Sequence, residues 1–149
     1  MGDALANLLN FEKFILMVAM RFVISVLSSS TSPATRRALR FAQALLAQKH
    51  EIVRVFFYQD GVLSAANNLV VAQDQEDIAR QWQDFIRAYD IDAVVCIAAA
   101  LRRGVLDHVE ATRYQRQGGN LAEGYQLSGL GQLHDALQRA DRHISFGGA

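Results

Sequence analysis

Cysteine occurs once in the chain, at Cys96, and its setting suits it to covalent chemistry. It falls near the end of the apolar run Ile91–Ile97 (IDAVVCI), which leads straight into Ala98-Ala99-Ala100-Leu101-Arg102-Arg103-Gly104. A thiol at the carboxyl end of a strand, just ahead of a helical turn, faces backbone N–H groups without intrahelical acceptors. Those groups favour the thiolate, the form that attacks. Arg102 and Arg103 add positive charge, but six or seven residues of helix rise about 9–10 Å, too far for a tight pair with the sulfur. The competing reading of Cys96 is a small hydrophobe packed in an apolar strand. A lone thiol closes no internal disulfide and builds no multi-thiolate metal site. His50, His108, His134 and His143 have no spacing that points to Cys96 or to a metal, so surface or core roles are expected for them.

Two other strand ends carry polar groups. Ser28–Ser32, followed by Pro33, is rich in hydroxyls but lacks the glycines of a P-loop or a dinucleotide fingerprint. It can hold a phosphate, as flavodoxin-like flavin sites do, or serve simply as a turn and helix cap. Tyr58 and Asp60 follow the second strand, where Asp60-Gly61 is also ordinary turn chemistry.

The elements that must hold these residues alternate in type. Phe22–Leu27 reads as a buried strand. Residues 34–48 place Leu39, Ala42 and Leu46, with Phe41 and Leu45, at helical spacing opposite Arg36, Arg40 and Gln43. Ile52–Tyr58 (IVRVFFY) is β-branched and aromatic, hence a strand. Asp74–Tyr89 sets Ile78, Trp82, Phe85, Ile86 and Tyr89 on one helical face, with acidic residues in the first turn. After the strand of Cys96, residues 105–127 are polar and weakly periodic. Ser128–Ala140 reads as a last helix with Ser128 as its N-cap, and Arg142–Phe146 (RHISF) as a closing strand. Short apolar strands alternating with helices predict an α/β domain with a mostly parallel sheet of about five strands flanked by helices. In such a sheet, ligands gather beyond the carboxyl ends of the strands.

Length and composition agree. A chain of 149 residues with 51% hydrophobic residues makes one domain with a substantial core and excludes intrinsic disorder. Fifteen basic residues balance fifteen acidic ones, which argues against general attraction to nucleic acid or anionic lipid. Arg21 splits the first apolar run into pieces too short to span a membrane, and the start lacks the basic region of an export signal. Residues 1–19 are therefore expected to be an extension outside the fold, with Met20 a natural start, and residues 20–149 a single intracellular domain.

Several segments carry a family resemblance. Cys96–Val105 (CIAAALRRGV) resembles the active-cysteine segment of the TusD/DsrE sulfurtransferase family, and Phe56–Val62 (FFYQDGV) is similar to its second-strand motif. Asn120–Leu133 (NLAEGYQLSGLGQL) and the closing Asp141-Arg142…Phe146 are similar to its C-terminal portion, and MRFVIS at Met20 to its usual start. The likeness runs over about 20–146.

It implies a three-layer flavodoxin-like, DsrE-like fold and a cytoplasmic sulfur-relay subunit. Cys96 would accept sulfane sulfur as a persulfide from a TusA-type donor and pass it to a TusE- or DsrC-type acceptor, with no cofactor or metal. The partners implied are TusB/TusC-like (DsrH/DsrF-like) homologous subunits in a heterohexamer. The sulfur would end in tRNA wobble 2-thiouridine, or alternatively serve dissimilatory sulfur oxidation. A non-catalytic assembly subunit is the remaining alternative. Tyr58, Asp60, Asn67, Ala98, Arg102 and Arg103 are expected as pocket neighbours of Cys96. The family's first loop usually includes glycine, and the hydroxyl-rich Ser28–Ser32 departs from that pattern.

Overall fold

The computed structural model describes residues 18–147 and, before them, Asp3 alone. Most of the extension expected at residues 1–19 thus lies outside the described residues. Five parallel strands form one sheet in the order β4-β3-β2-β1-β5. They are β1 (Arg21–Val26), β2 (Glu51–Phe57), β3 (Ala93–Cys96), β4 (Tyr125–Ser128) and β5 (Arg142–Phe146). The helices are α1 (Pro33–Ala47), α2 (Ile78–Tyr89), α3 (Ile97–Arg102), α4 (His108–Arg113) and α5 (Leu130–Arg139), and a 3-10 segment covers Gln59–Ala65. The expected α/β class and five-stranded parallel sheet are what the molecule has.

The strand order explains the three layers. The chain steps from β1 to β2, β3 and β4 in one direction and then returns by α5 to place β5 beside β1. Right-handed crossovers in opposite directions put their helices on opposite faces. Phe22 of β1 meets Phe41 of α1 edge-on, at 5.9 Å between ring centroids. Its neighbour Val23 packs on the other side with Val53 and Ala136 of α5. The larger core lies on the α1/α2 face, where Phe57 of β2 meets Trp82 of α2 at 5.4 Å and Tyr125 of β4 at 5.3 Å. Trp82 and Phe57 are fully buried, each contributing on the order of 2–3 kcal/mol from burial. The indole N–H of Trp82 donates to the Thr35 carbonyl and so ties α2 to α1.

Three local expectations need correction. The acidic residues at 74–76 precede α2 rather than begin it: Asp77 is the N-cap, its Oδ1 accepting from the Arg80 N–H at 2.9 Å. The stretch 105–127 is not irregular throughout, since it holds α4, capped by Asp107, and the first residues of β4. Ser128 ends β4 instead of capping the last helix; Gly129 holds the N-cap position, with no side-chain cap bond. β4 escapes a pattern reading because it is a four-residue edge strand with one buried residue, Tyr125.

Candidate functional site

Cys96 is the last residue of β3 and the N-cap position of α3. The strand reaches this point because Ala93, Val94 and Val95 are buried between β2 and β4. The helix starts at once because Ile97–Leu101 contains good helix formers and no breaker. The side chain of Cys96 caps nothing, so the sulfur is not committed to holding α3. The residue is 2% exposed, yet it lines a cavity of about 350 Å³.

That cavity gathers most of the expected neighbours. Tyr58, Ala98, Arg102 and Arg103 line it together with Cys96. Asp60 stands behind Arg103, whose Nε donates to its Oδ1 at 2.8 Å; Arg103 also donates to the Ala99 carbonyl from Nη1. Asp60 and Gly61 lie in a 3-10 segment, not a simple turn, and the left-handed residue there is Gln59, with φ of 49°. Gly61 is required for a different reason: a Cβ there would stand 2.0 Å from the Val26 carbonyl oxygen. The 3-10 segment thus lies tight against the end of β1 and presents Tyr58 and Gln59 to the cavity.

Asn67 is the expected neighbour that does not belong. It lines a separate cavity of about 230 Å³ with Ser64, Asp77 and Arg80. Its N–H donates to the Asn120 carbonyl, which draws the chain away from Cys96 after the 3-10 segment. Conversely, Gly129 and Leu130 line the Cys96 cavity without having been expected. Cys96 pairs with Ser128 in the β3–β4 register, so the residues following Ser128 necessarily flank the thiol. Recognising β4 was the signal needed to find them.

Three hydroxyls of the first loop, those of Ser29, Thr31 and Ser32, are bonded within the loop. Thr35 Oγ1 donates towards the carbonyls of Ser28 and Ser29, Ser29 Oγ meets Thr31 Oγ1 at 2.8 Å, and Ser32 Oγ accepts from the Ala34 N–H. These bonds are those of a turn and helix cap, while Ser30, Thr31 and Ser32 also line a small cavity with Arg36; no residue of the loop lines the Cys96 cavity. No histidine lines that cavity: His50 Nδ1 accepts from the Met20 N–H, and His143 Nε2 meets Ser25 Oγ at 2.8 Å. Among the described residues no group of three or more His, Cys, Asp and Glu is placed to hold a metal ion.

A thiol at a strand end, walled by a tyrosine and two arginines and open through a small cavity, is an arrangement for nucleophilic exchange at sulfur. Comparison with known proteins identifies the family. The DsrE/DsrF-like family model matches residues 20–146. The chain is 57% identical over 129 residues to "Sulfurtransferase TusD homolog" of Pseudomonas aeruginosa, covering 87% of this chain and 98% of that one. It is 43% identical over 114 residues to "Putative sulfurtransferase DsrE" of Allochromatium vinosum, covering 76% and 88%. The solved structure of the ychN protein from E. coli superposes with a TM-score of 0.67 over 87% of this chain and all of that one, at 18% identity, and shows the same fold. By fold, by sequence and by match over nearly the whole described domain, the chain belongs to the DsrE/DsrF-like family, among its sulfurtransferases.

Proposed function

We propose that the protein is the sulfur-carrying subunit of a relay and that Cys96 is its carrier. The observation behind this reading is the thiol itself: it caps no helix, contacts no histidine and lines a cavity between Tyr58 and the two arginines. The Cys96 thiolate attacks the outer sulfur of a donor persulfide, R–S–SH. A bond forms between Cys96 Sγ and that sulfur, the donor's S–S bond breaks, and R–S⁻ leaves. An acceptor thiolate then attacks the outer sulfur of the Cys96 persulfide, and Cys96 leaves as thiolate. No net oxidation occurs, so neither step calls for a redox cofactor.

At 2% exposure the thiol is out of reach of a flat protein surface. A donor must present its sulfur on a slender segment that enters the cavity. This suits a small TusA-type donor and a TusE- or DsrC-type acceptor, acting on a cytoplasmic complex with TusB/TusC-like (DsrH/DsrF-like) subunits. Transfer toward tRNA wobble 2-thiouridine is the favoured destination, since the relatives named TusD include the one sharing 57% identity.

Intact-protein mass spectrometry after incubation with a persulfidated TusA-type donor tests the carrier role. The expected result is a gain of one sulfur, about 32 Da, removed by reductant and absent from Cys96→Ser. No gain, even with co-expressed partner subunits, would leave Cys96 as core packing and the protein as an assembly subunit.

A further inference from the structure

A second cavity shares one wall residue with that of Cys96. Arg102, at the far end of α3, lines both the Cys96 cavity and a larger one of about 680 Å³. The second cavity is bounded by the Tyr114–Asn120 loop and carries a second arginine, Arg116. No aspartate or glutamate lines it, and neither Arg102 nor Arg116 forms an ion pair among the described residues. Arg103 beside them differs, because Asp60 neutralises it. In a chain of zero net charge, two unpaired guanidinium groups on one acid-free concavity form a local positive field.

The larger cavity is also built in advance. Asn120 Oδ1 accepts from the Leu106 N–H at 2.8 Å, and its Nδ2 donates to the Gly104 carbonyl at 3.0 Å. Gly119 lies so close to the next segment that a Cβ would stand 2.7 Å from the carbonyl carbon of Asp107. The loop that carries Arg116 is therefore pinned, and a ligand there meets groups already in place. Tyr114, half exposed, adds an aromatic wall.

We propose that the two cavities, joined at Arg102, form one groove that receives an extended acidic segment of the sulfur-exchanging partner. Its carboxylates lie against Arg102 and Arg116 while its sulfur reaches Cys96. The inference rests on the carrier role of Cys96 and adds the partner's chemistry to it. Six residues of α3 separate Cys96 from Arg102, about 9 Å of helical rise. An extended peptide covers that distance in about three residues, so the partner's acidic residues belong three or more positions from its reactive cysteine. Guanidinium groups bind carboxylates through paired, charge-assisted hydrogen bonds, which gives the segment orientation as well as attraction.

The test uses two synthetic pentapeptides, Glu-Glu-Gly-Gly-Cys and Gln-Gln-Gly-Gly-Cys, each activated as the mixed disulfide with thionitrobenzoate. Cys96 thiolate attacks the peptide sulfur, the peptide–Cys96 disulfide forms, and coloured thionitrobenzoate leaves. The rate needs no persulfide donor, so it stands or falls apart from the mass-gain assay for the carrier role. At low salt the acidic probe is expected to react on the order of tenfold faster than the neutral one, with the preference collapsing in half-molar salt. Arg102→Gln and Arg116→Gln should each cut the ratio to about threefold or less, and Arg116→Lys should keep part of it. A ratio near one in the natural protein overturns the proposal, as does a ratio that survives the double variant. A ratio lost in Arg102→Gln but kept in full in Arg116→Gln would overturn the extended groove. A single-stranded RNA oligonucleotide that blocks both probes better than a free acidic peptide does would assign the groove to nucleic acid instead.

Discussion

Arg103 Nε donates to Asp60 Oδ1 at 2.8 Å, joining the end of α3 to the 3-10 segment beside the Cys96 cavity. The pair decides which arginine offers charge to an incoming group. Arg103 is spoken for, and Arg102 is not.

Asp60→Asn should therefore release the charge of Arg103 into the cavity. The ratio of Cys96 alkylation by anionic iodoacetate to that by neutral iodoacetamide is expected to rise about twofold at low salt. Because the pair is partly exposed, stability should change by less than about 1 kcal/mol. An unchanged ratio would mean that Arg103 does not sense the thiol's surroundings.

Gly61→Ala drives a methyl group against the Val26 carbonyl, where no side chain can give way. The expected cost is about 2–3 kcal/mol by urea unfolding, with slower sulfur loading as Tyr58 and Gln59 are displaced. An Ala variant of natural stability would mean that the 3-10 segment shifts freely.

The Tyr125 hydroxyl is buried without a hydrogen-bond partner among the described residues, and burial pushes its phenol well above the usual range. It stays neutral and contributes desolvation cost with no compensating bond. Tyr125→Phe should stabilise the protein by up to about 1 kcal/mol while keeping the ring contact to Phe57. A loss of about 1 kcal/mol in the free energy of unfolding by urea would contradict this.

Hydrogen bonds from Arg21, from its side chain and then its backbone N–H, hold the Asp141 carboxyl below its ordinary value near 3.8. A depressed folded value means that the contact's contribution is fully present above the unfolded value and fades as pH falls through the folded one. Asp141→Asn should accordingly flatten the acid limb of the stability curve below about pH 4 and leave the region above pH 6 with a pH-independent offset. Equal acid limbs in the two proteins would rule out the assignment.

The readable parts of the chain were those where burial and period coincide. Phe22–Val26, Val53–Phe57 and the Trp82 face of α2 announce themselves because one-sided or two-sided burial leaves an apolar rhythm. Cys96, Tyr58 and the arginines are legible as a set because they sit at strand ends or at the end of the short helix that follows Cys96. β4 was not, since Gln126, Leu127 and Ser128 are at least partly exposed and the strand's identity comes from pairing with Ala93–Cys96. Gly129 and Leu130 were lost with it. Asn67 misled for a related reason: its direction is set by a backbone bond to Asn120, a contact 53 residues away that no local pattern records.

The parallel pairing of β1 with β5 also decides how the protein should be handled. Both strands run the same way, with Leu27 N–H donating to the Phe146 carbonyl, so the chain leaves β5 at the end of the sheet where β3 delivers Cys96. Met20, by contrast, leads into β1 at the opposite end, a strand length or roughly 15 Å away. A tag, fluorophore or surface anchor fused after Phe146 would project from the end of the sheet at which the proposed sulfur donor approaches. The same attachment ahead of Met20 would leave that approach clear.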